Sequence, residues 1–236
     1  MNTIEPVNKN IQTAQNNKRI AKNTLFLYAR MLLVMAVSLY TVRIVLAVLG
    51  VEDYGIYNVV AGVVSMFGFL SGTMASASQR FFAYEIGTKN IEKLKKTFSM
   101  TVMIYAIIAV IVVILAETIG VWFLYNKMTI PAERFSAAMW VYQFTVASFV
   151  VTMMAVPYNA AIIAKENMKV FAAVGIIEVL LKLAIVYLLL FFSSDKLKLY
   201  AVLVFLSNVI IRFVYSAYCR KAYSEFRFGF LWDANI

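Results

Sequence analysis

Six stretches of roughly 20 to 30 residues are dominated by apolar side chains, and few chains can satisfy that constraint in water. They run over residues 25–49, 55–77, 98–125, 135–164, 168–192 and 199–219. Each is too long for a strand, and none alternates polar with apolar as a membrane barrel does. In hydrocarbon the backbone must satisfy its own hydrogen bonds, so the stretches are expected to be helices. The expected fold class is therefore all-α, a polytopic membrane bundle of six transmembrane helices. Composition agrees: 63% of the 236 residues are apolar and 14% charged. A soluble domain is nearer half and a quarter. One cysteine, Cys219, excludes a disulfide framework.

The connections are short. Gly50 to Tyr54 joins the first two stretches, and Asn126 to Arg134, containing Pro131, joins the third and fourth. Lys165 to Asn167 and Ser193 to Lys198 join the remaining pairs, and only Ser78 to Thr97 has room for an extra amphipathic helix. The expected organisation is a polar segment over 1–22, a bundle over 23–221, and a tail or linker start over 222–236. The polar segment lacks the apolar core of a signal peptide.

The net charge of +10 would suit a nucleic-acid partner if the cations formed one face, but they do not. Lys9, Lys18, Arg19, Lys22, Arg80, Lys89, Lys93, Lys95, Lys96, Lys165, Lys169, Arg220, Lys221 and Arg227 fall on one side of the six-span topology. Lys127, Arg134, Lys196 and Lys198 fall on the other. The positive-inside rule then puts both termini in the cytoplasm, and no nucleic-acid partner is expected. The absence of histidine removes imidazole acid–base pairs and the commonest metal ligand. Without a phosphate-binding Gly-rich loop carrying Lys-Ser/Thr, ATP bound by this chain is not an expected energy source. No cofactor, metal or enzymatic constellation is expected.

Several segments are more specific. Gly50-Val51-Glu52-Asp53-Tyr54-Gly55-Ile56-Tyr57-Asn58-Val59-Val60 resembles the first extracytoplasmic turn of bacterial polysaccharide flippases of the O-antigen (Wzx) type. Ser76-Ala77-Ser78-Gln79-Arg80-Phe81-Phe82 is similar to the end of that family's second span. Glu117 to Leu124 resembles the end of its third helix, and Val156 to Ala164, with Pro157, the end of its fourth. The resemblance runs in order from about Ile20 to Phe230. It implies one lobe of an exporter with twelve or more helices, working by alternating access in the bacterial inner membrane. The implied substrate is an oligosaccharide on undecaprenyl diphosphate, and the implied partners are membrane lipids and a second six-helix half or a second copy of the chain. The chain departs from the family pattern in carrying one six-helix bundle.

Six ionisable residues lie inside the apolar stretches: Arg30, Arg43, Glu117, Glu178, Lys182 and Arg212. Burying such a group unpaired is costly, so each calls for a partner or a function. Glu178 and Lys182 stand one turn apart on a helix and can neutralise each other. They read either as a packing pair or as a proton-coupling pair in a cavity. Arg30 and Arg43, thirteen residues apart, point about 140° from one another on a helix. Arg43, with Ser38, Tyr40 and Thr41 nearby, is the favoured cavity arginine, able to grip a diphosphate bidentately. Arg30 and Arg212 are the weaker phosphate candidates, and either arginine of the first stretch can instead snorkel. Gln79, Asn159 and Asn208 could bind sugar hydroxyls, because amides both donate and accept. Gly68, Gly72 and Ser76 recur every fourth residue and suggest close helix packing. Pro157 is expected to kink or end its helix. A multidrug antiporter of the same superfamily and a non-transporting membrane scaffold are the alternatives.

Overall fold

The computed structural model describes residues 4–192 and 195–226, with side chains from residue 17 onward except at 19 and 70. Among the described residues all regular structure is helical. The elements are α1 (Ile4–Ser65), α2 (Gly68–Gly87), α3 (Ile91–Leu115), a π-helical turn (Ala116–Gly120), α4 (Val121–Asn126), α5 (Ala132–Ala164), α6 (Met168–Phe191) and α7 (Lys196–Ala222). A 3-10 turn (Ser224–Phe226) follows.

Five stretches are long and apolar enough to cross a membrane: Ile20–Ser65, Ile91–Asn126, Ala132–Ala164, Met168–Phe191 and Lys196–Ala222. Their outward faces are apolar too. Leu32, Leu39, Ile107, Ile114, Leu180 and Phe213 are all exposed. Apolar surface on that scale belongs against lipid or protein rather than water.

α1 contains two arms. At Gly50 the backbone takes φ 81° and ψ 168°, a conformation open almost only to glycine. Ser38 and Tyr57 line one cavity although nineteen residues separate them. A straight helix would hold them roughly 28 Å apart, so the arm over 51–65 folds back beside the arm over 4–49.

The sequence-based boundaries need two corrections. The second expected span, 55–77, is not one helix, because a turn at Met66 and Phe67 interrupts it. No separate amphipathic helix occupies Ser78 to Thr97, since α2 runs on to Gly87 and α3 starts at Ile91. α5 passes through Pro157 and ends at Ala164, the boundary expected for the fourth stretch; of the kink or end expected at Pro157, the end does not occur. The expected polar lead-in over 1–22 is helical from Ile4 onward. Of the expected tail over 222–236, residues 227–236 lie outside the described residues.

α5 is the axis of the bundle and packs on α1, α2, α3, α6 and α7. Two buried clusters stack along it. One joins Val45, Leu49, Val60, Tyr142, Leu189 and Leu197. The other joins Phe82, Phe98, Tyr158, Tyr215, Cys219 and Phe226. Polar ties close each end. At the first end Arg134 Nε donates to Asp53 Oδ1 at 2.8 Å, its Nη2 contacts Asp53 Oδ2, and its Nη1 lies 3.7 Å from Asp195. That set unites the three connections at Gly50, Pro131 and Asp195 (the Gly50 end). At the other end Lys165 Nζ donates to Glu225 at 2.5 Å, and Asn167 Nδ2 donates to Tyr218 and Tyr223 at 2.9 and 3.2 Å. The helices therefore alternate between two ends, as successive apolar stretches with short connections imply.

The π-helical turn has a local cause. In its widened backbone the Ala116 carbonyl accepts both the Val121 N–H and the Tyr142 hydroxyl, the latter at 2.7 Å. Gly120 makes room for that ring, since a Cβ there would stand 1.9 Å from the Tyr142 oxygen. π turns inside α-helices commonly mark such insertions.

Candidate functional site

The first arm of α1 lies along α6, and its inward stripe runs Arg30, Val34, Ser38, Thr41, Val45 and Val48. Eleven residues make about three helical turns, so Arg30 and Thr41 share a face. Opposite it, Phe171, Gly175, Glu178 and Lys182 follow at steps of three and four along α6.

These two stripes meet at Arg30. Its guanidinium stacks over the Phe171 ring, 4.2 Å from the centroid. Its side chain crosses Gly175 so closely that a Cβ there would be 2.1 Å from Nε. Its Nη2 reaches Glu178 Oε2 at 4.0 Å, while Lys182 Nζ holds Glu178 Oε1 at 2.9 Å. Arg30 Nε is buried without a hydrogen-bond partner among the described residues. One carboxylate thus serves two cations, which leaves one net positive charge between α1 and α6.

Glu178 and Lys182 open onto a cavity of about 260 Å3 between both arms of α1, α6 and α7. Ser38, Thr41, Tyr57, Tyr200, Ser207 and Asn208 add a lining of hydroxyls and one amide. Tyr57 and Tyr200 stand edge to face, 4.7 Å between centroids. The Thr41 hydroxyl donates to the Ser38 carbonyl at 3.0 Å and that of Ser207 to the Val204 carbonyl at 2.8 Å. Both oxygens keep lone pairs to accept from a guest. Counting about ten residues in from Met168, Glu178 lies roughly 15 Å deep, close to the middle of a bilayer.

The sequence candidates separate clearly. Glu178, Lys182 and Asn208 line this cavity, and Arg30 joins it through Glu178. Arg43 does not line it; the residue is exposed on the opposite side of α1. Ser38 and Thr41, which appeared to favour Arg43, belong to the stripe of Arg30. Arg212 stacks on the Tyr158 ring at 4.4 Å, about one turn past Asn208 toward the Glu225 end. Asn159 is half-buried on α5 beside Tyr158, and Gln79 is half-buried on α2, which packs on α3 and α5 rather than α6. Glu117 is exposed and accepts from Gln143 Nε2 at 3.1 Å, a structural contact. The Gly68, Gly72, Ser76 stripe does not bring helices together, because a Cβ at either glycine would meet nothing within 4 Å.

Sequence reasoning missed Gly175 and Phe171, which seat Arg30, and the facing tyrosines Tyr57 and Tyr200. The spacing of Phe171, Gly175, Glu178 and Lys182 on one helical face was the available signal. Comparison with protein-family models, curated proteins and solved structures found no match.

Proposed function

We propose that this chain is a six-span inner-membrane protein of the polysaccharide-flippase kind, with both termini in the cytoplasm. In this reading the arm over 51–65 and α2 together make the second crossing, with the break at Met66 and Phe67 inside it. The substrate is an oligosaccharide carried on undecaprenyl diphosphate, moved by alternating access. A second bundle, from a further half or a second copy of the chain, completes the path.

One observation carries the reading most directly: a hydroxyl-lined cavity at mid-depth in an otherwise apolar bundle, whose Glu178–Lys182 pair is joined by Arg30 from beside the lining. A charged cluster at that depth is costly unless it has work to do. Arg30 and Lys182 share one carboxylate, so an incoming diphosphate can take over part of their coordination. Arginine supports this with paired, planar donors. Ser38, Ser207 and Asn208 then offer hydrogen bonds to sugar hydroxyls. Arg43 is the second phosphate candidate, on the exposed face where a second bundle would meet it. A cation-exporting antiporter wants surplus acid in its cavity, whereas the one carboxylate here is already shared by two cations.

The test is complementation of a strain lacking its own flippase, with and without a second bundle supplied. Arg30→Ala and Lys182→Ala should each lower surface polysaccharide at least tenfold at equal protein level. Full activity in the double variant would overturn the role of the cavity, and failure of the wild-type chain with every second bundle would favour a scaffold.

A further inference from the structure

A second cavity, of about 510 Å3, opens at the Gly50 end between the second arm of α1, α4 and the loop to α5. Its walls are apolar: Val51, Ile56, Val59, Phe123, Met128 and Ile130. Two opposite charges also line it. Glu52 comes from the turn after Gly50 and Lys127 from the residue that ends α4. Both are exposed, and no ion pair joins them in the described structure. Trp122, Tyr125 and Trp140 are exposed on the neighbouring surface, as aromatic side chains are at the water–lipid boundary. The cavity thus pairs two exposed, opposite charges with apolar walls.

We infer that this groove is a binding site for a zwitterionic aminophospholipid, a phosphatidylethanolamine headgroup with one acyl chain. The phosphate sits against Lys127, and the primary ammonium donates to Glu52, while the chain lies along Val59, Phe123 and Ile130. The two walls carry the two charges separately, which suits a headgroup that also carries its charges apart. A choline headgroup has no N–H to donate to Glu52. A glycerol headgroup brings the phosphate without the cation and leaves Glu52 beside a like charge. The occupant is at hand in any bilayer that such a bundle inhabits. The inference needs membrane residence but not the transport reading.

The experiment is native mass spectrometry of the full-length chain released from vesicles of equal phosphatidylethanolamine, phosphatidylcholine and phosphatidylglycerol. Retained ethanolamine lipid should exceed each of the others about threefold, the scale of one exposed charge pair. Glu52→Gln should erase the preference over choline lipid, and Lys127→Ala should lower retention of all three phospholipids. Glu133→Gln, an exposed carboxylate at the same end outside the groove, should change nothing. Circular dichroism of each variant checks that the helices are intact. Equal retention of the three lipids by the wild-type chain, or a preference surviving Glu52→Gln, overturns the site.

Discussion

Gly175 shows how one missing side chain can hold a charge in place. With any Cβ there, Arg30 would have to leave the face of α6, because Nε and Cδ would lie 2.1 and 2.7 Å away. Gly175→Ala is therefore expected to cost about 1–3 kcal/mol, the usual range for overpacking. Arg30→Ala removes the clashing atoms, so the double variant should be less destabilised than the two single losses added together. Thermal unfolding in detergent of the four proteins measures that coupling. Strict additivity would mean that Arg30 does not occupy the notch. The arginine choice was only partly legible from sequence. The 140° between Arg30 and Arg43 was readable, but which side of α1 faces α6 depends on a tertiary contact that no local pattern states. Polar neighbours in sequence favoured Arg43, although Ser38 and Thr41 project with Arg30.

Turns signalled by glycine and proline were legible at the scale of elements, and breaks made of apolar residues were not. Gly50 closes the hairpin of α1, and Pro131 precedes α5 with φ −55° and ψ 136°, as a residue before a helix often does. Met66 and Phe67 carry no such mark, because both continue the apolar run, so 55–77 reads as unbroken. Ala116 to Gly120 likewise has an ordinary helical composition, and its π turn depends on Tyr142 from α5. Pro157 did not move the expected boundary at Ala164: a proline lacks one donor but need not stop a helix held on several sides, and α5 is so held. Gly50 makes the sharper prediction. Its φ of 81° with ψ of 168° is a glycine conformation, so Gly50→Ala should cost about 1–3 kcal/mol. There is open space around its Cβ position, so the loss would be purely conformational. Chemical denaturation of Gly50→Ala and of Gly55→Ala separates the cases. Gly55 also has open space but no positive φ, and its variant should be within about 0.5 kcal/mol of wild type.

Over the whole molecule, the two ends are tied by different chemistry. Arg134 gathers three connections at the Gly50 end. At the other end the chain leaving α7 returns to the bundle, where Phe226 is fully buried among Phe82, Phe98 and Tyr223. Lys165 sits over the Tyr223 and Phe226 rings and holds Glu225. Burial alone would push the Glu225 carboxyl up, but the hydrogen bonds and charge of Lys165, with Ser224 helping, hold it below its usual 4.5. A depressed carboxyl stabilises the docked state above the unfolded value and loses that contribution as pH falls through the lower, docked value. The 223–226 segment should therefore stay docked from pH 8 to about pH 5 and loosen below about 4.5. Hydrogen exchange of that segment against pH checks it. In Glu225→Gln the segment should exchange faster at neutral pH, and the acid inflection should vanish. The sequence showed Lys165 and Glu225 only as loop charges, since sixty residues separate them. What the apolar stretches and their short connections did make readable was the alternation of the helices between two ends.

The π-helical turn also fixes the azimuth of everything that follows it in the same rod. One surplus residue between Ala116 and Gly120 shifts the phase of α4 by about 100° relative to a regular continuation of α3. With that offset, Leu124 is buried at 1% exposure while Trp122 and Tyr125 point outward. Shortening the turn by one residue would swing α4 like a misaligned key, carrying Leu124 off the core and the aromatic rings off the boundary they mark. The wall that Phe123 gives the lipid groove and the shelter that Tyr142 finds at Gly120 therefore depend on the same single-residue count.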